Sequence, residues 1–386
     1  MIPYGRQHLD EEDVKAVVET LTSNWLTQGP AVPKFEAALA DYCGAEFGVA
    51  VNSATSALHI ACLALGVGED DLVWTSPNSF VASSNCALYC GASVDFVDID
   101  LQTGNMCMKA LKQKLEHAQN INTLPKVVIP VHFAGQPCDM ESLHVLAKQF
   151  GFYVIEDASH AIGAKYKGAF IGSGQYADIC VFSFHPVKII TTMEGGMALT
   201  NNSEWAEKMR MLRSHGITNN PEVMTEESHG PWYYQQISLG FNYRMTDVEA
   251  ALGLSQLGKL EVFLEKRNAL AAHYDRLFSG CETITPLKQN ADGYSSYHLY
   301  VVRIDSLTDK QHADLVTNLR EQGIFAHVHY IPIHMQPYYK NLGFKLGDFP
   351  NAETYYQQAV TLPLFPELTF EQVEFVVKIL AEEIKR

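Results

Sequence analysis

Short apolar runs alternate with amphipathic segments through the first half of the chain, and this alternation constrains the fold more than any other feature. Seven runs are strand candidates: 47–51, 72–75, 93–97, 127–131, 152–155, 179–184 and 197–200. Most of them precede a segment whose apolar residues recur with helical spacing. Such alternation predicts an α/β fold, a mostly parallel sheet with helices on both faces. Ligands bind such sheets beyond the carboxyl ends of the strands.

The other segments predict how the chain is divided. Asp10, followed by three carboxylates, predicts a capped helix. Residues 216–240 are polar and typical of a long loop, and the spacing from 246 to 278 predicts one long helix. The chain of 386 residues is too long to fold around a single small hydrophobic core. We expect a large α/β domain at 1–250, joined by the long helix to a smaller α+β domain at 251–386.

Charge and composition exclude several kinds of partner. The formal net charge is −16, which argues against nucleic acid and membrane surfaces, since both are polyanionic. No apolar run is long enough to span a bilayer, and no signal peptide is evident at the N-terminus. None of the eight cysteines forms a CxxC pair, as expected of reduced thiols. We therefore expect a cytoplasmic protein that binds neither nucleic acid nor membrane.

Two turns at strand ends could bind a ligand. Asn-Ser-Ala-Thr-Ser-Ala at 52–57 is small and hydroxyl-rich, and free N–H groups at a helix start suit a phosphate. Asp157 ends an apolar strand candidate, where its carboxylate could hold a protonated ring nitrogen. Taken alone, the first turn also fits a plain helix cap, and the aspartate fits an ordinary turn.

One lysine, Lys188, lies in an apolar neighbourhood between Phe-Ser-Phe-His at 182–185 and Glu-Gly-Gly at 194–196. An apolar setting lowers the proton affinity of an amine, which can then form a Schiff base with an aldehyde. A single lysine is more often a surface group, so the interpretation depends on Lys188 occurring together with the two turns described above. A phosphate-type turn, Asp157 and Lys188 match the phosphate, ring nitrogen and aldehyde of pyridoxal 5′-phosphate (PLP).

Three histidines, His327, His329 and His334, suggest an alternative. The first two would share one face of a strand, so a metal site, as in a metal hydrolase, is conceivable. No acidic or cysteine partner lies nearby in the sequence. We therefore predict no metal and favour contact with a polar substrate or simple packing.

Taken together, the motifs resemble a known family. They are Trp-Leu-Thr-Gln-Gly (25–29), Asn-Ser-Ala-Thr-Ser-Ala (52–57), Glu-Asp-Ala-Ser-His (156–160), Phe-Ser-Phe-His (182–185) with Lys188, Glu-Gly-Gly (194–196), Arg-Ser-His-Gly (213–216) and Gly-Phe-Asn-Tyr-Arg (240–244). Nearly end to end, the chain is similar to the DegT/DnrJ/EryC1/StrS sugar aminotransferases. These are fold-type I PLP enzymes with an aspartate aminotransferase-like fold, so the resemblance implies a mostly parallel seven-stranded sheet between layers of helices.

The resemblance also implies residue roles. Lys188 would hold PLP and move the α-proton, while Asp157 would keep the ring nitrogen protonated. The other cofactor-binding residues would be Ala54, Thr55, Phe80, His160, Ser183, His185, Asn242 and Arg244, with Phe80 stacked on the ring. The residues lining the substrate site would be Tyr4, Asn24, Trp25, Leu26, Thr27, His329 and Tyr330. Asn24 departs from the pattern, because a related enzyme has lysine there, which leaves the diphosphate contacts open.

The implied reaction moves the amine of L-glutamate onto C4 of a UDP-linked 4-keto-6-deoxy-N-acetylhexosamine, with pyridoxamine phosphate (PMP) as the intermediate form of the cofactor. Asn242 and Arg244 would reach the partner's phosphate, making a homodimer obligatory. Lysine at 188 favours transamination, since relatives with histidine there remove a hydroxyl instead. Other nucleotide-linked keto sugars, GDP- or dTDP-linked or aminated at C3, stay open, as does a PLP-binding regulator without turnover.

Overall fold

The computed structural model describes residues 1–305 and 307–385. Ser306 and Arg386 fall in the predicted second domain but lie outside the described residues. Among those described, a seven-stranded sheet is formed by β1 (Phe47–Val51), β2 (Leu72–Thr75), β3 (Ser93–Phe96), β4 (Val127–Ile129), β5 (Tyr153–Asp157), β6 (Ile179–Ser183) and β7 (Gly196–Thr200). Its strand order is β1-β7-β6-β5-β4-β2-β3. Strand β7 is antiparallel to both neighbours and the other pairings are parallel, which confirms the mostly parallel sheet.

The strands are apolar because both faces of the sheet are covered. Successive side chains on a strand point to opposite faces. On β5, Val154 packs into one apolar cluster with Phe182, and Ile155 packs into the other with Val181. All five residues of β6 are buried. Burial on both faces explains the near-continuous apolar runs by which these strands were predicted.

Helices cover both faces and build the rest of the chain. The described α-helices are α1 (Glu11–Leu21), α2 (Ala31–Cys43), α3 (Ala54–Ala64), α4 (Ala82–Tyr89), α5 (Met108–Asn120), α6 (Met140–Phe150), α7 (Ser203–Leu212), α8 (Asp247–Leu257), α9 (Leu260–Phe278), α10 (Asp309–Glu321), α11 (Pro337–Asn341), α12 (Pro350–Gln358) and α13 (Phe370–Ile384). Single 3₁₀ turns occur at Phe133–Gly135 and Ile333–Met335. Asp10 caps α1 with a reciprocal capping box, as predicted. No described helix combines the length and apolarity needed to cross a bilayer.

The prediction of a single long helix from 246 to 278 is wrong, because the structure has two helices there. Helix α8 ends at Leu257, its C-cap is Gly258, a weak helix former, and α9 begins after Lys259. The turn brings the Lys259 ammonium to α1, where its Nζ lies 3.0 Å from Asp13 Oδ2 and also pairs with Asp10. The apolar spacing is compatible with one helix and with two, and this ion pair accompanies the break between α8 and α9.

A smaller antiparallel sheet lies in the second part of the chain. Its described strands are β8 (Thr285–Pro286), β9 (Tyr300–Arg303) and β10 (Ala359–Leu362), in the order β8-β9-β10. An apolar cluster unites this sheet with α9, α10 and α13. The remaining strands are two-residue pieces: Ile2–Pro3, Lys165–Tyr166, Ala169–Phe170, Ile217–Thr218, Gln235–Gln236, Gly293–Tyr294 and Ile324–Phe325. Ile2–Pro3 pairs in parallel with Ile324–Phe325 as a separate two-stranded sheet, so the N-terminus contacts the second part of the chain.

Candidate active site

A cavity of about 430 Å³ opens beside the carboxyl ends of the central strands. Strands β5 and β6 end at its floor, and the start of α3 forms one wall. Parallel strands bring the residues that follow them to one edge of a sheet, which is why the cavity lies there. The lining residues that the sequence singled out are Tyr4, Ala54, Thr55, Phe80, Asp157, His160, Ser183, His185, Lys188, His329 and Tyr330.

Lys188 projects from a loop that is closed tightly at its base. Phe184 donates its N–H to the Gly195 carbonyl at 2.9 Å and accepts from the Thr192 N–H at 3.0 Å. The Lys188 N–H donates to the His185 carbonyl at 2.8 Å, which fixes the turn that carries the lysine. Burial lowers the pKa of the Lys188 amine to about 8, against the attraction of the Asp157 charge. The neutral amine is therefore far more abundant near neutral pH than in an exposed lysine, although the ammonium still predominates.

Asp157 is the last residue of β5 and is 4% exposed. Its Oδ2 accepts a hydrogen bond from Ser83 Oγ at 2.6 Å. Its Oδ1 accepts from Ser159 Oγ at 2.6 Å and from the Ser159 N–H at 3.1 Å. A buried carboxylate held by hydroxyl donors can pair with a cationic ring nitrogen.

The start of α3 forms a wall of the cavity with groups suited to an anion. Ser53 caps the helix by accepting from the Ser56 N–H at 3.1 Å, which confirms the helix cap, while phosphate binding at this turn stays a prediction. Ala54 and Thr55 line the cavity, at the end of the helix where N–H groups lack helical partners. Gly196 lets β7 approach closely, since a Cβ there would lie 2.5 Å from the Ala54 nitrogen. Ser183 adds a hydroxyl to the same cavity.

Two rings differ sharply in their surroundings. Phe80 is 60% exposed although it is aromatic, and it lines the cavity, so its ring is accessible to a flat ligand there. His160 is buried, and its Nε2 lies 3.1 Å from the Tyr330 hydroxyl. The Nδ1 of His160 has no partner. Burial, together with the Lys188 charge, holds the pKa of His160 well below its ordinary value, so the imidazole is neutral.

An amine, a carboxylate, a helix start and an accessible aromatic ring therefore meet in one cavity, and this set of groups fits PLP.

Comparison with known proteins decides the family. Residues 7–381 match the DegT/DnrJ/EryC1/StrS aminotransferase family. The chain belongs to this family. It is also 38% identical, over 97% of its length and 96% of the relative's, to a UDP-4-amino-4,6-dideoxy-N-acetyl-beta-L-altrosamine transaminase from Campylobacter jejuni.

Solved structures agree with this family membership. Helicobacter pylori PseC, an aminotransferase involved in the biosynthesis of pseudoaminic acid, superposes with a TM-score of 0.90 at 34% identity, covering 100% of this chain and 99% of that one. Spr1654 from Streptococcus pneumoniae in its PMP form gives a TM-score of 0.91 at 31% identity, covering 100% and 99% of the two chains. Its PLP form is similar to this chain as well. The fold-type I aminotransferase fold expected from the sequence is thus confirmed.

The residues that the sequence predicts to line the substrate site divide into two groups. Tyr4, His329 and Tyr330 line the cavity. The Tyr4 ring centroid lies 5.1 Å from that of His329, whose Nδ1 is 2.9 Å from the Thr361 hydroxyl. By contrast, residues 24–27 are exposed between α1 and α2 and do not line this cavity. Trp25 is 56% exposed.

Asn242 and Arg244 also lie away from the cavity of their own chain. Asn242 is exposed and forms an isolated bridge with Ser214. Arg244 forms an isolated bridge with Val51, the last residue of β1. Both residues thus lie outside the cavity of their own chain, and their expected contact with the partner's phosphate stays a prediction.

The three histidines considered for a metal are not one cluster. His327 and His329 stack with ring centroids 4.6 Å apart, but His334 pairs through Nε2 with Glu353 at 2.9 Å. Among the described residues, no group of three His, Cys, Asp or Glu side chains could hold a metal ion. The geometry gives the metal hydrolase no support.

Sequence reasoning missed several groups of the site. Ser159 follows Asp157 by two residues, a spacing typical of Asp turns, so it could have been found. Ser83 reaches the same carboxylate from 74 residues away, and no local signal marks it. His298 packs against His160 with ring centroids 4.4 Å apart, and burial lowers its pKa well below the ordinary value. Only tertiary packing brings His298 next to His160, so no local sequence signal marks it.

Proposed function

We propose that the chain transfers the amine of L-glutamate to C4 of a UDP-linked 4-keto-6-deoxy-N-acetylhexosamine, with PLP as its cofactor. The observation that carries the proposal is the convergence of Lys188, Asp157 and the start of α3 on one cavity of about 430 Å³. Similarity to PLP- and PMP-form structures supports the cofactor. The 38% identity to the altrosamine transaminase supports the sugar.

Each group in the cavity has a task that follows from its chemistry. Bound PLP would supply an electron sink for the carbon that bears the amine. Lys188 would bind the aldehyde and, as an amine with a pKa of about 8, accept and return a proton. Asp157 would hold the ring nitrogen, and the N–H groups at Ala54 and Thr55 would hold the phosphate.

The other end of the cavity would bind the nucleotide sugar. Tyr4, His329 and Tyr330 present hydroxyl and imidazole groups there, as a polar sugar requires. The Tyr330 hydroxyl also contacts His160, so the substrate wall and the cofactor pocket are joined by a hydrogen bond.

We also propose that a second copy of the chain completes the site, with Asn242 and Arg244 reaching the partner's phosphate. Their position outside their own cavity supports this. The preceding loop also exposes large apolar side chains, with Trp232 75% and Leu239 80% exposed. Tyr234 and Ile237 of the same loop are exposed as well, and a segment with several such side chains is a candidate for a surface that another protein covers.

Reduction and peptide mapping would test the cofactor assignment. Protein incubated with PLP, reduced with borohydride and digested should carry a pyridoxyl group on Lys188. Lys188→Ala should lose both the adduct and turnover, while Lys165→Ala, a change at a lysine outside the cavity, should keep both. An adduct on other lysines only would overturn the proposal.

A substrate panel would then test the reaction. With glutamate and a set of 4-keto and 3-keto nucleotide sugars, we expect release of 2-oxoglutarate and amination of the UDP-linked 4-keto sugar, with stereochemistry read by NMR. Turnover only with a GDP- or dTDP-linked sugar would move the assignment to that sugar. Binding of PLP without 2-oxoglutarate release would instead indicate a regulator.

A further inference from the structure

Ser83 is a buried hydroxyl that contacts the carboxylate of Asp157. It lies in the first turn of α4, is 0% exposed and has its Oγ 2.6 Å from Asp157 Oδ2. A hydroxyl has one proton to donate, and the Phe80 carbonyl, 3.3 Å away, is the competing acceptor. The short contact to a charged acceptor is the stronger one, so the proton lies on the Asp157 side.

A second serine fixes the direction of this contact. Ser79 Oγ lies 2.6 Å from Ser83 Oγ, and Ser79 is 4% exposed. Because Ser83 gives its proton to Asp157, Ser79 must donate to Ser83. The result is a directed chain of two hydroxyls that ends on Oδ2. Ser159 occupies Oδ1 from the other side with two donors.

We propose that Ser83 is a positioning residue that fixes the plane of the Asp157 carboxylate toward the cofactor's ring nitrogen. With donors on both oxygens, the carboxylate cannot rotate freely about its Cβ–Cγ bond. Oδ1 already accepts two hydrogen bonds, so Oδ2 keeps the lone pair that is left for a donor in the cavity that Asp157 lines. This inference depends on the proposed PLP chemistry and adds a residue that no local sequence signal marks.

The neighbouring Ser84 offers a matched control. It is also 0% exposed and lies on the same turn of α4. Its Oγ contacts the Tyr339 hydroxyl at 2.5 Å and the Val81 carbonyl at 3.0 Å, and it makes no hydrogen bond to Asp157. Ser83→Ala and Ser84→Ala therefore each remove one buried hydroxyl from the same helix, and they differ in their effect on the carboxylate.

The test measures PLP binding and the state of the ring nitrogen in the whole protein. With PLP labelled with ¹⁵N in the ring, Ser83→Ala should bind about tenfold more weakly. In a pH titration followed by the ¹⁵N resonance, the ring nitrogen should lose its proton at a lower pH in Ser83→Ala than in wild type. Ser84→Ala should match wild type in both, and Ser83→Thr, which keeps the hydroxyl, should restore both.

Two results would overturn the inference. One is a Ser83→Ala variant with wild-type PLP affinity and wild-type ¹⁵N titration. The other is an equal loss in Ser83→Ala and Ser84→Ala, which would indicate a role in packing α4 only. If wild type itself failed to bind PLP, the proposed function would fail first, so the two failures are distinguishable.

Discussion

Lys188 shows how one side chain acquires reactivity from its surroundings. An exposed lysine has a pKa of about 10.4, so its neutral form is rare near neutral pH. In this cavity, burial lowers the pKa of Lys188 to about 8, and the charge of Asp157 acts in the opposite direction. The Lys188 charge also acts on His160, His298 and His329, whose pKa values are held low mainly by burial. Neutral imidazoles therefore leave Asp157 as the main charge near the amine.

The reaction of Lys188 with PLP should follow this pKa. In the apo protein, the adduct at Lys188 is trapped with borohydride, and its initial rate of formation should rise with pH and level off above about 8. The reason is that only the neutral amine attacks an aldehyde. Asp157→Asn removes the attraction for the ammonium, so the apparent pKa should fall further. The adduct is measured by peptide mapping. A Lys188 profile that rises only near pH ~10, the range of an ordinary exposed lysine, would contradict the assignment.

At the scale of elements, the meeting of α3 and β7 builds the anion site. Gly196 begins β7, and its Cα passes close to the first turn of α3. A Cβ at this position would lie 2.5 Å from the Ala54 nitrogen and 2.6 Å from the Ser53 carbonyl carbon. These neighbours are backbone atoms, which cannot rotate aside as a side chain could. The glycine is therefore needed for the helix start to reach the cavity.

Gly196→Ala should push α3 away from β7. We expect PLP affinity to fall about tenfold or more, and the free energy of unfolding of the apo protein to fall by about 1–3 kcal/mol, the usual cost of overpacking. The control is Gly68→Ala, since a Cβ at Gly68 would meet nothing within 4 Å. It should change stability by less than about 0.5 kcal/mol. PLP titration and urea unfolding measure the two effects, and a Gly196→Ala protein that binds PLP normally would show that α3 tolerates the shift.

At the scale of the whole molecule, one chain supplies the cofactor cavity while Asn242 and residues 24–27 lie outside it. A two-fold dimer would place the same outside segments of each chain against the partner. Under the proposed arrangement, Asn242 serves one cavity and Lys188 of the same chain serves the other. This separation makes the dimer testable with variants that lack activity for different reasons.

Mixing two inactive variants should restore activity. Asn242→Asp would place a negative charge against the partner's phosphate, and Lys188→Ala removes the amine. After the two proteins are unfolded together and refolded, mixed dimers contain one intact site, so roughly a quarter of wild-type turnover should return. Turnover per mole of protein is the measurement.

A second mixture provides the control for this result. Lys188 and Asp157 line the same cavity of one chain, so mixing Lys188→Ala with Asp157→Ala should restore nothing. Recovery in neither mixture, with mixed dimers shown by mass spectrometry, would refute the shared site.

The sequence by itself determined what depends on local order along the chain. Apolar spacing predicted the seven strands, and the caps at Asp10 and Ser53 could be read directly because a cap contacts residues only a few positions away. It also placed Asp157 and Lys188 in one cavity, since residues that follow parallel strands share an edge. The break between α8 and α9, the antiparallel β7 and the contact of Ser83 with Asp157 were decided by tertiary structure. These depend on partners far away in sequence, whose approach is set by packing of the whole core and is invisible to local periodicity.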